Sequence, residues 1–405
     1  MRVVLFTGKG GVGKTTTAAA TAVQAARRGI KTLVMSTDAA HSLGDALGVD
    51  LVTNALEAGP LVDVESGLCA LQVSASHSAR RSWRSVQDYL LTVLGSLGID
   101  PVVADEVTEL PGADEIVALL ELRAQVEFGP WDLVVVDCAP TAETLRLLAL
   151  PEALTWHLEK LMPAQRGLLR TLRPAAQAAA GLPLPGVQVV DTLRRWRESL
   201  RDIQSVLTAE STSVRIVLTP ERVVIAESRR TLTALGLYGV TVDQVVVNRV
   251  FPDAGLGSRD DGWLAGWNEA QQRGLAEVRQ SFDPLPIVIT PYLPREPVGT
   301  DALAALAEAR TGDIRDVLVT FPAQVMSVRP DDGGFLLTLP LPLVTAGEVD
   351  LKRRDDELLI SVGSQRRVLS LPSVLRRCLV TKATVRDAML RVRFVPDEKV
   401  WPRHD

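Results

Sequence analysis

Gly8, Gly13, Lys14 and Thr15 stand in the spacing G-x-x-x-x-G-K-T. Glycines let main-chain N–H groups close on a polyphosphate, and a helix N-terminus adds its dipole. An ammonium then neutralises β- and γ-oxygens, and a hydroxyl ligates Mg2+. The pattern assigns Gly8, Gly10, Gly11, Val12, Gly13, Lys14, Thr15 and Thr16 to a nucleotide cradle, with Lys14 for the phosphates and Thr15 for Mg2+. The same loop holds a second lysine, Lys9. Only seven of the 44 basic residues are lysine; where charge alone is needed the chain uses arginine, so both loop positions call for a compact, flexible ammonium.

Two carboxylates close apolar runs. Asp137 ends 132–137, and Asp38 follows 32–36. On the sheet edge that carries a phosphate loop, Asp137 is expected to hold Mg2+ through a water. Asp38 is expected to orient the attacking water and take its proton. A helix cap or turn is the plainer reading of each. Asn248 ends the run 244–248, where its amide would meet the N6/N7 edge of adenine or serve as an ordinary strand-end hydrogen bonder. The N-K-x-D arrangement of common GTPases is missing from 248–251, so ATP is expected rather than GTP.

These residues need a sheet to place them. Short apolar runs at 2–6, 32–36, 132–137, 213–219, 244–250 and 287–291 alternate with helical stretches, one of them 15–28 directly after the loop. This predicts an α/β fold with a mostly parallel sheet covered on both faces. Segments around 78–128 and 151–207 are too long for simple crossovers and predict a helical subdomain. Within them, Trp83, Val86, Leu90, Val93 and Leu97, and again Leu193, Trp196, Leu200, Ile203 and Leu207, form apolar stripes. Such stripes suit either a packed core or an exposed client groove. After residue 320 the period changes to two: a hairpin at 357–362 and 366–372, a strand at 389–395 and a turn at 329–334 predict a small antiparallel sandwich over 322–396, with a tail at 397–405.

The 405 residues suit two or three domains, with 46% hydrophobic and 23% charged residues. A net charge of −5 and pI of 5.6 argue against nucleic acid as a partner. No apolar run has transmembrane length, and the first strand starts too early for a signal peptide, so a cytoplasmic protein is expected. Three separated cysteines, Cys69, Cys138 and Cys378, form no C-x-x-C pair, which predicts reduced thiols rather than a disulfide framework or a thiolate zinc site.

The segments 9–16 (KGGVGKTT), 36–48 (STDAAHSLGDALG), 109–116 (ELPGADEI), 137–148 (DCAPTAETLRLL), 150–156 (LPEALTW), 219–228 (TPERVVIAES) and 292–299 (YLPREPVG) resemble, in order, the arsenite-pump ATPase (ArsA) and guided-entry, tail-anchored-protein targeting ATPases. The resemblance implies a face-to-face homodimer with two ATP molecules between the subunits. It implies that Lys9 reaches the nucleotide of the partner, and it adds Pro294 and Arg295 to the nucleotide site. The segments 36–43 and 137–144 would be switch loops coupling γ-phosphate loss to the helical region. Such a cytosolic ATPase would open and close an apolar site for a hydrophobic client protein or membrane-protein segment. Service in arsenite efflux, or as a nucleotide-gated holdase, is the alternative. Departures from the family are Ala39 for Pro, Ala142 for Gly, no zinc clasp, no evident thiol trio for a soft ion, and only five methionines. Residues 355–375 and 382–394 resemble the small heat-shock (α-crystallin) sandwich carried by some members, without the I-x-I tail.

Overall fold

Strands buried on both faces need uninterrupted apolar runs, and the computed structural model places them at the centre of one large sheet. It describes residues 1–37, 42–51, 61–73, 113–138, 195, 198–199, 201–251, 262–322 and 326–398. Strands β1 (Arg2–Thr7), β2 (Thr32–Ser36), β3 (Val62–Glu65), β4 (Leu68–Gln72), β5 (Leu133–Asp137), β6 (Thr212–Leu218), β7 (Val242–Val250), β8 (Ile287–Pro291) and β9 (Thr311–Gly312) lie in the order β3-β4-β2-β5-β1-β6-β7-β8-β9. All pairings are parallel except β3 with β4 and β8 with β9 at the two edges. The antiparallel β3–β4 hairpin and the short β9 were not foreseen. Half-buried β3 lacks the continuous apolar run that marks an inner strand, and two-residue β9 is too short to show a period.

Helices α1 (Lys14–Arg27), α2 (Ser42–Leu47), α3 (Ala113–Phe128), α4 (Arg222–Leu237), α5 (Gly262–Phe282) and α6 (Thr300–Glu308) connect these strands. Helix α1 has Ala18, Ala19, Ala20, Ala22, Ala25 and Ala26 buried. Small side chains let it lie close to the sheet while keeping high helix propensity. From α3, Ala118, Leu119 and Leu122 join the same core, and so do Ile203 and Leu207. The described end of the second apolar stripe is therefore packed inside. Leu193, Trp196 and Leu200, and the whole stripe from Trp83 to Leu97, lie outside the described residues.

The C-terminal part forms two antiparallel sheets. One has the order β10 (Ser327–Asp331), β11 (Gly334–Pro340), β16 (Met389–Pro396), β15 (Cys378–Arg386); the other is β12 (Val349–Arg354), β13 (Glu357–Val362), β14 (Gln365–Ser370). The one-turn helix α7 (Ser373–Arg376) leads into β15. Alternate residues Leu337 and Leu339, Leu358 and Ile360, and Leu390, Val392 and Phe394 meet in a second core, as period two requires. The expected turn at 329–334 is narrower. Arg329 pairs with Leu336 in β10–β11, leaving Asp332 and Gly333 as a two-residue loop with φ of 35° and 73°. An Asp-Gly pair with two positive φ values is the hairpin turn whose twist matches its strands.

Leu237, the last residue of α4, belongs to this second core rather than the first. Thr233 donates its hydroxyl to the Pro342 carbonyl at 2.9 Å, and the Tyr238 hydroxyl donates to the Arg366 carbonyl at 3.1 Å. Buried Arg367 donates to the Leu237 carbonyl, capping the end of α4. The small sandwich is thereby fastened to a helix of the large domain.

Candidate functional site

The loop after β1 is shaped by two glycines. Gly8 is buried with φ of 155°, and a Cβ there would sit 2.1 Å from the Val217 carbonyl oxygen on β6. Gly13, with φ of 89°, takes the left-handed position that starts α1; its Cβ would lie 2.3 Å from Asn248 Nδ2. Between them Val12 is buried and pins the loop to the core, while Gly10 and Gly11 are exposed. The N-terminus of α1 thus opens at the carboxyl edge of the sheet, where β1 sits between β5 and β6 and the chain order reverses. That is the binding crevice of open parallel sheets.

Lys14 is only 6% exposed, and its Nζ donates to the Lys9 carbonyl at 3.3 Å. Its ammonium is folded under the loop, the position from which it meets phosphate oxygens. The Thr15 and Ser42 hydroxyls lie 3.2 Å apart, linking α1 to the start of α2. Asp137 is fully buried at the end of β5, in register with both Phe6 and Ser36, and Ser36 Oγ donates to its Oδ2 at 3.3 Å. A hydroxyl and a carboxylate are hard oxygen donors of the kind Mg2+ selects, so Thr15 and Asp137 fit that ion.

Asn248, 6% exposed, donates from Nδ2 to the Val12 carbonyl at 2.8 Å. The amide therefore braces the phosphate loop, a role that its position at the end of a strand did not reveal. Its second N–H and its Oδ1 remain chemically able to meet an adenine edge. Pro294 and Arg295 are exposed just beyond β8. The turn before them is held by Tyr292 N–H on the Val250 carbonyl at 2.8 Å and by the Phe251 and Tyr292 rings, 5.2 Å apart. Thr16 is half-buried in the first turn of α1. Asp38 lies outside the described residues, as does nearly all of the second switch segment after Cys138.

Lys9 behaves differently from Lys14. Its Nζ lies 3.9 Å from Glu227 Oε2 on α4, and its side chain is 40% exposed. Glu227 sits inside the 219–228 segment, but nothing in the spacing shows which residue Lys9 meets. Ser36, Ser42 and Glu227 are the site neighbours that sequence reasoning missed, each brought in by a different element.

The surroundings raise all three thiols above their ordinary value. Burial, then the charge of Asp137, pushes Cys138 up to about 12, and Cys69 is raised to about 11 by burial and by its bond to Asp63. Cys378 is also raised by burial. Cys69 on β4 and Cys138 beyond β5 are separated by β2, and Cys378 belongs to the sandwich. Among the described residues no three His, Cys, Asp or Glu side chains converge as a metal site.

A phosphate loop opening onto a buried strand-end carboxylate, at the switch point of a parallel sheet, defines a nucleotide-hydrolysing protein. The family model for the anion-transporting ATPase matches residues 1–311, and that for the HSP20-like domain found in ArsA proteins matches 332–394. The chain belongs to the ArsA ATPase family and is an ATPase. It is 39% identical over 404 residues to an uncharacterised protein of Streptomyces coelicolor, with 100% of both chains covered. It is 34% identical to a putative arsenical pump-driving ATPase of Chlorobaculum tepidum, covering 97% of this chain and 96% of that one. With the ATPase get3 of Aspergillus terreus it shares 30% identity, over 76% of this chain and 90% of that one. No described helix is long and apolar enough to cross a membrane.

Proposed function

We propose that the protein is a cytosolic homodimeric ATPase in which Lys9 of each subunit acts on the ATP held by the other. The nucleotide cycle in turn opens and closes a site for hydrophobic protein segments. The observation that carries this reading is the contrast between the two lysines. Lys14 is buried on its own loop, whereas Lys9 is turned outward onto Glu227. A partly exposed ammonium turned onto a helix surface rather than folded under its own loop is placed to serve a second subunit, and a cation supplied in trans raises phosphoryl transfer by about 10³- to 10⁵-fold. Thr15 and Asp137 would hold Mg2+, which when bound would neutralise phosphate charge, and Asp38 would position the water. Asn248, Pro294 and Arg295 would flank the base.

Sedimentation and turnover test this together. Turnover per subunit should rise with protein concentration, in step with a monomer-to-dimer shift under a non-hydrolysable ATP analogue, and an apolar helical peptide should change the turnover of the dimer. A fully active monomer would contradict the reading. Arsenite as the moved ion fits poorly, because the three thiols are separated and held protonated.

The Lys9–Glu227 contact supplies a sharper expectation. Both side chains are partly exposed, so the pair is worth at most about 1 kcal/mol, a factor of up to ~5. Glu227→Gln removes the competitor for Lys9. Because two such contacts are given up per dimer, half-maximal turnover should shift to a lower protein concentration by up to ~25-fold with the KM for ATP unchanged; an unmoved concentration midpoint would show that the contact restrains nothing.

The sandwich gives this coupling a path. Helix α4 carries Glu227 near its start and Leu237, embedded in the sandwich, at its end. Withdrawal of Lys9 from Glu227 on dimer closure would act on the helix that holds the sandwich, which favours a client contact there as well.

A further inference from the structure

Behind α1, on the side away from the phosphate loop, lies a small cavity of about 30 Å³. The chain after α6, from Arg310 to Val317, closes it against β1, β6, β7 and β8. Its charged and amide side chains are Arg28, Arg215, Arg310, Arg315, Gln24 and Gln244. Among the described residues, four guanidiniums and no carboxylate line it. We propose that this cavity is a binding site for a small inorganic anion, with chloride as the ion its volume fits.

The charge accounting leads there. Asp243 is the buried carboxylate beside this cavity, and it is already engaged, while Asp313 and Asp316 on the closing segment are exposed. Arg215 donates to its Oδ2 from Nε and Nη2, both at 3.3 Å, and Arg2 Nη2 lies 3.8 Å from the same oxygen. Among the described residues, Arg28, Arg310 and Arg315 have no carboxylate partner. Arg310 donates from Nη1 to Thr21 Oγ1 and from Nη2 to the Thr17 carbonyl, each at 3.0 Å, while its buried Nε meets no acceptor among the described residues. Burial, and then the neighbouring charge of Arg215, holds the Arg310 guanidinium down at about 10. A nearby negative charge reverses the second of these effects.

Hydrogen-bond chemistry distinguishes an anion from a water here. A guanidinium only donates, and the Thr21 hydroxyl already donates to the Thr17 carbonyl at 2.8 Å. One amide N–H, Gln244 Nε2, is spent on the Asp313 carbonyl at 3.0 Å. A water here could give its hydrogens to the Gln24 and Gln244 side-chain oxygens but would offset none of the four positive charges, whereas an anion both accepts from guanidiniums and offsets their charge. A volume of this size admits one water-sized or monoatomic species. Arg28 and Arg315 are exposed at the mouth, and Arg215 is 4% exposed on the inner wall, so the charge runs from solvent inward. Because Arg310 grips two residues of α1, an ion that orders Arg310 also stiffens the helix on which the phosphate loop is built.

The test uses the full chain with saturating ADP in every arm, so that the phosphate loop is filled throughout. Melting temperatures are compared in sodium chloride, sodium phosphate and sodium gluconate at matched ionic strength. Chloride should raise the melting temperature over gluconate by about 2 to 4 °C, and the rise should vanish in the Arg28→Gln/Arg315→Gln double variant, whose changes are at exposed positions. A rise with phosphate alone assigns an oxyanion to the same site, provided the variant abolishes it. Equal melting in the three salts, or an undiminished rise in the variant, overturns the proposal. Crystals soaked in bromide give the direct view: an anomalous peak between Arg215 and Arg310 is expected, and peaks only on the outer surface mean an adventitious ion only.

Discussion

Lys9→Arg subunits are expected to bind ATP as the unaltered protein does and to hydrolyse it at least ~100-fold more slowly. Binding should survive because Lys14, Thr15 and the glycines of the loop are untouched, and because the Lys9 ammonium is turned onto Glu227 of α4. Turnover should fall because a planar fork on a different stem cannot replace a compact ammonium at the transferring phosphoryl group. Nucleotide binding by calorimetry and single-turnover hydrolysis separate the two effects. The stronger form of the experiment mixes subunits. Lys9→Ala chains keep a complete loop but lack the donated lysine, and Lys14→Ala chains lack nucleotide binding but retain Lys9. Each is expected to be inactive alone. In an exchanged equimolar mixture half the dimers pair one of each, and each such dimer has one complete site, so about a quarter of full turnover should return. No recovery on mixing would place Lys9 in its own subunit's site or outside the chemistry.

That expectation rests on residues legible in the chain, because a phosphate loop is local: its glycines, lysine and threonine fall within eight positions, and their physics needs only a strand before and a helix after. The inner strands were legible for a similar reason. β2 coincides with the run at 32–36 because a strand buried on both faces admits little but apolar residues, and β8 coincides with the run at 287–291 although only its alternate residues Val288 and Thr290 are buried. The edge pieces were not. In β3, Asp63 and Glu65 alternate with valine, and a half-exposed edge carries no continuous run. What could not be read was pairing at a distance. Arg310 holds Thr21 across 289 positions of sequence, and Asn248 braces Val12 across 236. Ser36 meets Asp137 only because β2 and β5 are neighbours in register. The partner of Lys9 depends on where α4 passes the loop, and a charge on a helix surface carries no sign of which loop it faces. Asn248 shows the same limit from the other side: its residue type suggested a base reader, while its geometry makes it first a brace for the loop.

Gly8→Ala is expected to destabilise the protein by roughly 3–5 kcal/mol and to abolish measurable ATP binding, whereas Gly10→Ala, two residues along, should stay within about 0.5 kcal/mol of the unaltered chain. The contrast follows from what each added methyl meets. At Gly8 it meets the Val217 carbonyl oxygen at 2.1 Å, main chain of the neighbouring strand, and φ of 155° already disfavours a side chain. Neither a rotamer change nor a small shift relieves that contact; the loop must lift from β6 or the β1–β6 ladder must part. At Gly10 nothing lies within 4 Å and φ is not positive. Urea midpoints of the two variants, measured beside ATP binding, check both halves. Equal midpoints would mean that the loop does not lean on β6, and the seat deduced for Lys14 and Lys9 would then be wrong. The pair also complements the lysine variants. Lys9→Arg leaves the loop's shape alone and alters only the chemistry of one charge, while Gly8→Ala leaves every charge in the sequence and displaces the frame that aims them. Loss of turnover with binding intact in the first, and loss of binding in the second, would together separate the loop's two tasks: holding the triphosphate, and presenting a lysine to the neighbouring subunit.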